Sequence, residues 1–198
     1  MKNKINLRFA VLILFIVVAA VMRLGNAGGL SPISNFTPIG AMALFGGAYF
    51  TGRWKSLIFP LLALFLSDLV IQNVIYQGKY GFFLYEGWYW VYGAFALIVF
   101  VGDWFIRKVN VKNVLLACLA ASLAHWLITD LGVWLAGGLD LTTGQPYTRD
   151  LSGFLNCYYL ALPYFKNFFL GTVFYSAVMF GAFELAQRKL PMIAAEAA

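Results

Sequence analysis

Six stretches of the chain are dominated by apolar residues, and polar or glycine-rich segments separate them. A bilayer core about 30 Å thick requires roughly 20 apolar residues in a spanning helix. The pattern therefore predicts an all-α integral membrane bundle of six transmembrane helices, over residues 7–24, 38–51, 56–76, 88–106, 113–136 and 166–187. The second stretch is short and rich in glycine, so it can cross only if neighbouring helices shelter it.

Basic residues favour one orientation of this bundle. If the N-terminus is cytoplasmic, ten of the 14 Lys and Arg residues fall on the cytoplasmic side, in agreement with the positive-inside rule. The four that remain on the outer side are Arg23, Lys79, Arg149 and Lys166. We therefore predict cytoplasmic termini, a single six-helix domain over 1–190 and a short cytoplasmic tail over 191–198.

The first helix has an alternative interpretation. A basic start, an apolar run and the small residues of Gly25-Asn26-Ala27 are also features of a cleaved signal peptide. Arg23 lies between the apolar run and that site, so we favour a membrane helix.

Composition sets the class of protein. Hydrophobic residues make up 62% of the chain and charged residues only 11%, whereas soluble domains carry about 25% charge. A soluble fold, a disordered chain and a nucleic-acid-binding module are therefore disfavoured, and the expected surroundings are a lipid bilayer. The net charge of +6 reflects membrane topology, because the basic residues are scattered between the apolar runs.

The outer loops are much longer than the cytoplasmic turns. The segment over 137–165 is the longest, and it contains an apolar stretch over 151–165 that we predict to be a short helix. Glycines precede this stretch and could act as hinges, so one interpretation is a lid over the outer mouth. The alternative is an amphipathic helix that rests on the lipid headgroups. The length of the segment favours the lid.

Polar side chains inside the predicted spans are costly and therefore mark candidate sites. Asp68 lies in the third span with Gln72 one turn later, and the fifth span carries His125 and Asp130. The predicted topology places all of them in the middle or outer half of the bundle. We predict a ligand-binding site there, formed by Asn35, Asp68, Gln72, Asn73, His125, Trp126, Asp130, Trp134, Tyr147, Arg149, Tyr158, Tyr159 and Asn167.

Aromatic residues are concentrated at the same level. They are dense over 76–92 and again over 158–169, and thinly spread on the cytoplasmic side. Most suit a membrane-interface belt, yet the asymmetry also fits an aromatic cover over a small flat ligand.

Structural roles are the alternative for the same polar residues. Asp68 or Asp130 can pair with Arg23 or Arg149 and only hold helices together. His125 is the only histidine, and a buried histidine often serves as an interhelical hydrogen-bond donor. No zinc, iron–sulfur or phosphate-binding motif occurs, and no cofactor is expected.

Several motifs resemble one known family. Asn35-Phe36-Thr37-Pro38, the glycine-rich stretch over 43–50, Ser67-Asp68 and Thr129-Asp130-Leu131-Gly132-Val133-Trp134 resemble an uncharacterised family of bacterial membrane proteins thought to act in transport. The likeness extends from about residue 5 to residue 185. It implies a multi-pass protein of the bacterial cytoplasmic (inner) membrane.

That family in turn is similar in architecture to the S components of energy-coupling-factor vitamin transporters, six-helix proteins that bind their ligand near the outer face. S components that dock on a shared ATPase often carry Ala-xxx-Ala in helix 1, and this spacing is absent here. The resemblance therefore implies the solitary type, such as the cobalamin-specific one. In that comparison Cys157 and His125 are candidate cobalt ligands.

Three functions remain open at this point. The first is a substrate-binding transporter that captures a small vitamin-like molecule, such as cobalamin, from the outer face and moves it into the cytoplasm. The second is an intramembrane enzyme that uses His125 with Asp68 or Asp130 as a general acid–base pair. The third is a scaffold for cell-envelope assembly. An ATPase module and a homo-oligomer are conceivable partners, and the sequence requires neither.

Overall fold

Helices form the whole framework of the described chain. The computed structural model describes residues 7–25, 27, 33–79 and 83–193, and these contain no strand. The seven α-helices are α1 (Leu7–Leu24), α2 (Ile39–Tyr49), α3 (Arg53–Val70), α4 (Trp88–Phe105), α5 (Val111–Ala136), α6 (Leu151–Leu160) and α7 (Leu162–Lys189). A π-helical turn, Ile71–Ile75, extends α3, and a 3₁₀ turn, Pro191–Ile193, follows α7. The predicted all-helical bundle is confirmed.

Five of these helices are long and apolar enough to cross a membrane. They are α1, α3 with its π-helical turn, α4, α5 and α7. This count indicates a multi-pass membrane protein. Helix α2 has only 11 residues, which corresponds to about 16 Å of helix.

The short helix α2 lies at the centre of the bundle. Ten of its 11 residues are buried, and it packs against α1, α3, α4, α5 and α7. Glycines allow it to approach α4 closely: a Cβ on Gly47 would meet the carbonyl oxygen of Val99, and one on Gly102 would meet the backbone of Leu44. Neighbouring helices therefore shelter α2, as its sequence requires.

The segment over 151–165 is not a single helix. Helix α6 ends at Leu160, and residues 162–165 already form the first turn of α7. Pro163 is tolerated there because the first turn of a helix has no partner for its N–H group. The last membrane helix therefore begins at Leu162 rather than at the predicted residue 166.

Connections of unequal length define the two ends of the bundle. The segments between α1 and α2, between α3 and α4, and between α5 and α7 lie at one end, called here the long-loop end. The short turns at 50–52 and 106–110 lie at the other, called here the short-turn end.

Side chains close the bundle at the short-turn end. Arg8 donates from Nη1 to Oε1 of Gln187 (2.8 Å) and to the carbonyl oxygen of Ile193 (2.7 Å). Glu184 accepts from the Tyr49 hydroxyl at 2.6 Å. The predicted tail over 191–198 is thus not wholly separate, because Ile193 is fully buried in the core. Residues 194–198, like Lys2 and Lys4 of the predicted charge pattern, lie outside the described residues.

Candidate ligand-binding cavity

A cavity of about 830 Å³ opens at the long-loop end. Its wall combines the ends of α1 and α3, the residues before α2 and α4, and the facing sides of α5 and α7. Most of the lining side chains are polar or aromatic: Arg23, Ser34, Asn35, Thr37, Asp68, Gln72, Tyr76, Lys79, Tyr85, Glu86, His125, Tyr164 and Phe168. Its volume lies within the range of about 300–1,000 Å³ typical of small-molecule sites.

An ion pair forms part of this wall. Arg23 donates from Nη2 to Oδ1 of Asp68 at 2.6 Å, and from Nη1 to the Ser67 hydroxyl at 2.6 Å. Asp68 is 1% exposed, and its other oxygen accepts from the Tyr92 hydroxyl at 2.8 Å. Because both carboxylate oxygens are occupied, the geometry favours the structural role of Asp68. The pair also leaves no net charge at this point of the wall.

The π-helical turn after α3 directs the neighbouring side chains of Gln72 and Asn73 to different sides of the helix. Gln72 is 4% exposed and lines the cavity, and its Oε1 has no hydrogen-bond partner within the described part of the chain. Asn73 is exposed and donates to the carbonyl oxygen of Leu69 at 2.8 Å. Such turns are frequent at functional sites, and a buried carbonyl oxygen without a partner costs free energy until a donor meets it. Gln72 is therefore a strong candidate ligand contact, and Asn73 is not in the site.

The residues before α2 contribute a second polar group of this kind. The Thr37 hydroxyl is buried, lines the cavity and has no partner among the described residues. Asn35 adopts a left-handed backbone conformation with φ 68°, which asparagine tolerates better than most residues. Asn167 of α7 donates to the carbonyl oxygen of Ser34 at 2.9 Å and so fixes this segment over the cavity.

Aromatic rings form the remaining walls. The ring of His125 stacks on Phe168, with centroids 4.2 Å apart and planes 14° apart. Burial and the neighbouring Asp68 carboxylate raise the pKa of Tyr85 well above its ordinary value, so its hydroxyl remains a donor. Stacking surfaces and hydroxyl donors suit a flat, polar ligand.

A smaller cavity of about 150 Å³ adjoins the first one. Both cavities are lined by Asn35, His125 and Tyr164. Asp130 and Trp126 line only the smaller one, and the buried Trp126 indole N–H has no acceptor among the residues that the structure describes. Asp68 and Asp130 thus line adjoining cavities. Asp68 is ion-paired with Arg23. Of the acid–base pairs predicted for an enzyme, only His125 with Asp130 therefore remains.

Four predicted contacts are used elsewhere in the long-loop segment. Trp134 donates to the carbonyl oxygen of Thr148 (3.0 Å), Arg149 to that of Leu135 (2.8 Å) and Tyr158 to that of Leu127 (2.7 Å). Tyr159 is 69% exposed. None of the four lines either cavity. Three of them hold this segment against α5, and Tyr159 faces outward.

Tyr147 does not line either of these two cavities. It lines a third cavity, of about 400 Å³, within the segment between α5 and α6. That cavity shares no residue with the site around Gln72. Tyr147 therefore stabilises the loop rather than the predicted ligand site.

Neither candidate cobalt ligand is arranged as a metal site. The Cys157 thiol is buried and donates to the backbone carbonyl of Asp130 at 3.6 Å. Burial and the Asp130 carboxylate raise the pKa of Cys157 to about 11, so the metal-binding thiolate is disfavoured. Among the described residues no three His, Cys, Asp or Glu side chains form a group that could hold a metal ion.

Helix α6 does not cover the cavity. Asp150 begins it and accepts from the backbone N–H of Gly153 at 2.8 Å, and this bond helps to keep the pKa of Asp150 below its ordinary value. The helix packs on α5, where its Phe154 contacts Trp134. Leu151 and Tyr159 are exposed on its outer face. This placement favours the interfacial-helix interpretation over the lid.

Some lining residues were not part of the predicted site. Arg23, Thr37, Tyr85 and Tyr164 line the large cavity but were absent from the predicted set. Arg23 carried a signal, since an arginine at the end of an apolar helix needs a partner and Asp68 was available. Tyr85 and Tyr164 lay within the aromatic clusters, which could not show which rings face inward.

The fold and the cavity define a class of protein: a helical, multi-pass membrane protein with a polar and aromatic cavity at one end. The chain belongs to the family of unknown function DUF6580, whose model matches residues 3–193. No curated protein matches the chain, and no solved structure matches it.

Proposed function

We propose that this protein binds a small vitamin-like molecule in the 830 Å³ cavity and carries it across the membrane, as a solitary S-component-like transporter. The observation that carries the proposal is the buried carbonyl oxygen of Gln72, a cavity-lining residue, which has no hydrogen-bond partner among the described residues. A ligand with an N–H or O–H donor would satisfy it. The aromatic walls would hold a ring of such a ligand.

The volume of the cavity narrows the ligand class. About 830 Å³ suits a molecule of the size of a drug or of a single-ring or fused-ring vitamin. A complete corrinoid is larger than this class, and Cys157 does not reach the cavity. We therefore favour a smaller heteroaromatic compound over cobalamin.

The two ends of the bundle support a direction of transport. The cavity opens at the long-loop end, whereas Arg8, Gln187 and the Ile193 carbonyl close the short-turn end. We propose that the long-loop end is the outer face and that both termini are cytoplasmic in the bacterial inner membrane, with α2 as the sixth span. Release into the cytoplasm then requires the Arg8 contacts to break.

Ligand binding should depend on Gln72 and not on its neighbour. In a thermal-shift screen against riboflavin, thiamine, biotin, cyanocobalamin and free nucleobases, we expect at least one compound to stabilise the protein. A ligand at 100 times its Kd adds about 2.7 kcal/mol to the free energy of unfolding. Gln72→Leu should weaken binding of that compound about tenfold without loss of stability in its absence, because it removes an unpaired buried polar group.

Asn73→Leu is the matched control, since it changes the adjacent amide outside the cavity. We expect it to bind the same compound with unchanged affinity. Equal losses in both variants, or an unaffected Gln72→Leu, would contradict a ligand site at Gln72.

The proposed orientation predicts which new cysteines react from outside intact cells. Gln145 and Lys108 are exposed at the long-loop and short-turn ends respectively, while Cys118 and Cys157 are buried. A membrane-impermeant maleimide should label Gln145→Cys in intact cells, and Lys108→Cys only after the membrane is opened. The reverse pattern would place the cavity on the cytoplasmic side and exclude capture from outside.

A further inference from the structure

An apolar groove runs between α1 and α3, away from the ligand cavity. It has a volume of about 480 Å³. Its walls are aliphatic and aromatic side chains such as Phe9, Val17, Leu24, Phe59 and Leu66. The one hydroxyl on its wall, that of Ser67, already donates to the carbonyl oxygen of Leu64 at 2.8 Å. The described residues of the groove therefore offer no unsatisfied polar group to its occupant.

The length of the groove suits an acyl chain. Its lining extends along α1 from Phe9 to Leu24, about 22 Å at 1.5 Å per residue. This exceeds the thickness of one leaflet, which is half of the bilayer core of about 30 Å. An acyl chain of the adjoining leaflet can therefore lie along the groove.

Basic residues at the short-turn end of the groove indicate that its occupant carries an anionic head group. Lys55 places its ammonium 5.7 Å from the ring centroid of Phe9, at that end of the groove. Arg53 and Lys55 are both exposed, and the first turn of α3 contains no acidic residue. The one salt bridge among the described residues joins Arg23 to Asp68. No described carboxylate therefore pairs with Lys55. This end of the groove is cationic.

The opposite end offers no such attraction. Arg23 lies near it, but its guanidinium is already bonded to Ser67 and Asp68. An amphiphile in the groove would therefore place its anionic head beside Lys55 and its chain along Phe9 and Phe59. Trp54 lies between the two basic residues and is 77% exposed. Tryptophan is enriched at the level of lipid headgroups, so this position suits the head of a lipid.

From these features we infer that the α1–α3 groove is a binding site for an anionic phospholipid. One acyl chain fills the groove, and the phosphate lies against Lys55 and Arg53. Apolar contact alone would not select a lipid, because the groove and the surrounding bilayer are equally apolar. Selectivity for an anionic lipid comes from the charge. One basic residue near an anionic headgroup raises the affinity about fivefold.

Native mass spectrometry of the full-length protein tests the site. Protein released from micelles that contain equal amounts of palmitoyl-oleoyl phosphatidylglycerol and phosphatidylcholine should retain one phosphatidylglycerol in preference. Lys55→Gln should lower its retention about fivefold, and Lys55→Arg should restore it. Val17→Trp should abolish it, because Val17 is half-exposed, lines the groove and can be enlarged without disturbing the core.

Matched controls separate this site from general surface effects. Lys112 is exposed at the start of α5, at the same end, and Leu185 is exposed on α7 away from the groove. Lys112→Gln and Leu185→Trp should retain the lipid as the unchanged protein does. Circular dichroism of all variants should show the same helix content, so that losses reflect binding.

Three results would overturn the inference. Equal retention of phosphatidylcholine would remove the charge selectivity, and full retention by Val17→Trp would place the lipid elsewhere. Conversion of a dimer to a monomer by Val17→Trp would show that a second copy of the chain, rather than a lipid, covers the groove.

Discussion

Asp68→Ala should lower the free energy of unfolding by about 3–5 kcal/mol, the usual loss when one partner of a buried ion pair is removed. Arg23 is only 14% exposed beside it, and the variant leaves that guanidinium without its counter-charge. The Tyr92 hydroxyl loses its acceptor as well. Equilibrium unfolding in mixed micelles, followed by circular dichroism, measures the change.

Asp103→Ala provides the comparison, since Asp103 is an exposed carboxylate on the neighbouring helix α4. Its loss should change stability by less than about 1 kcal/mol. The double variant Arg23→Met with Asp68→Leu should recover most of the stability, because it removes both charges together. If Asp68→Ala is no more harmful than Asp103→Ala, the pair does not hold α1 to α3.

Hydrophobic patterning predicted most of the fold. The first, fourth and fifth helices begin and end within about two residues of the predicted bounds, because long apolar runs flanked by charged residues leave little freedom. The region after 150 was harder. The break at Ala161 falls within a continuous apolar stretch, and only the backbone shows that Pro163 begins a helix rather than ends one.

The sequence predicted the depth in the bundle at which the cavity-lining residues lie, but not which of their side chains face the cavity. Gln72 and Asn73 are adjacent amides, and nothing in the sequence favours one over the other as a ligand contact. A regular helix would separate them by 100°, but the π-helical turn decides which one faces the cavity. Trp134 and Arg149 lie at this end of the bundle, yet Trp134 donates to the backbone of the loop at Thr148 and Arg149 to the backbone of α5 at Leu135. Polar residues at a membrane interface have such local partners available, and sequence alone does not show which they choose.

Close backbone approach between α2 and α4 is the other feature on which the bundle depends. A Cβ on Gly47 would meet the carbonyl oxygen of Val99 and lie 2.9 Å from the backbone nitrogen of Asp103. These are backbone atoms, so neither can rotate away as a side chain would. Since α2 is the buried centre, the two helices must separate along their length to admit one methyl group.

We therefore expect Gly47→Ala to cost at least about 3 kcal/mol, the upper end of the usual range for overpacking. Gly93→Ala is the matched control on α4, because a Cβ there meets nothing within 4 Å. It should be neutral or stabilise by about 0.5–1 kcal/mol, as alanine favours a helix over glycine. Unfolding midpoints of the two variants, in the same micelles, should therefore move in opposite directions or differ by many degrees. Equal midpoints would mean that α2 and α4 do not pack backbone against backbone, and that the central position of α2 is wrong.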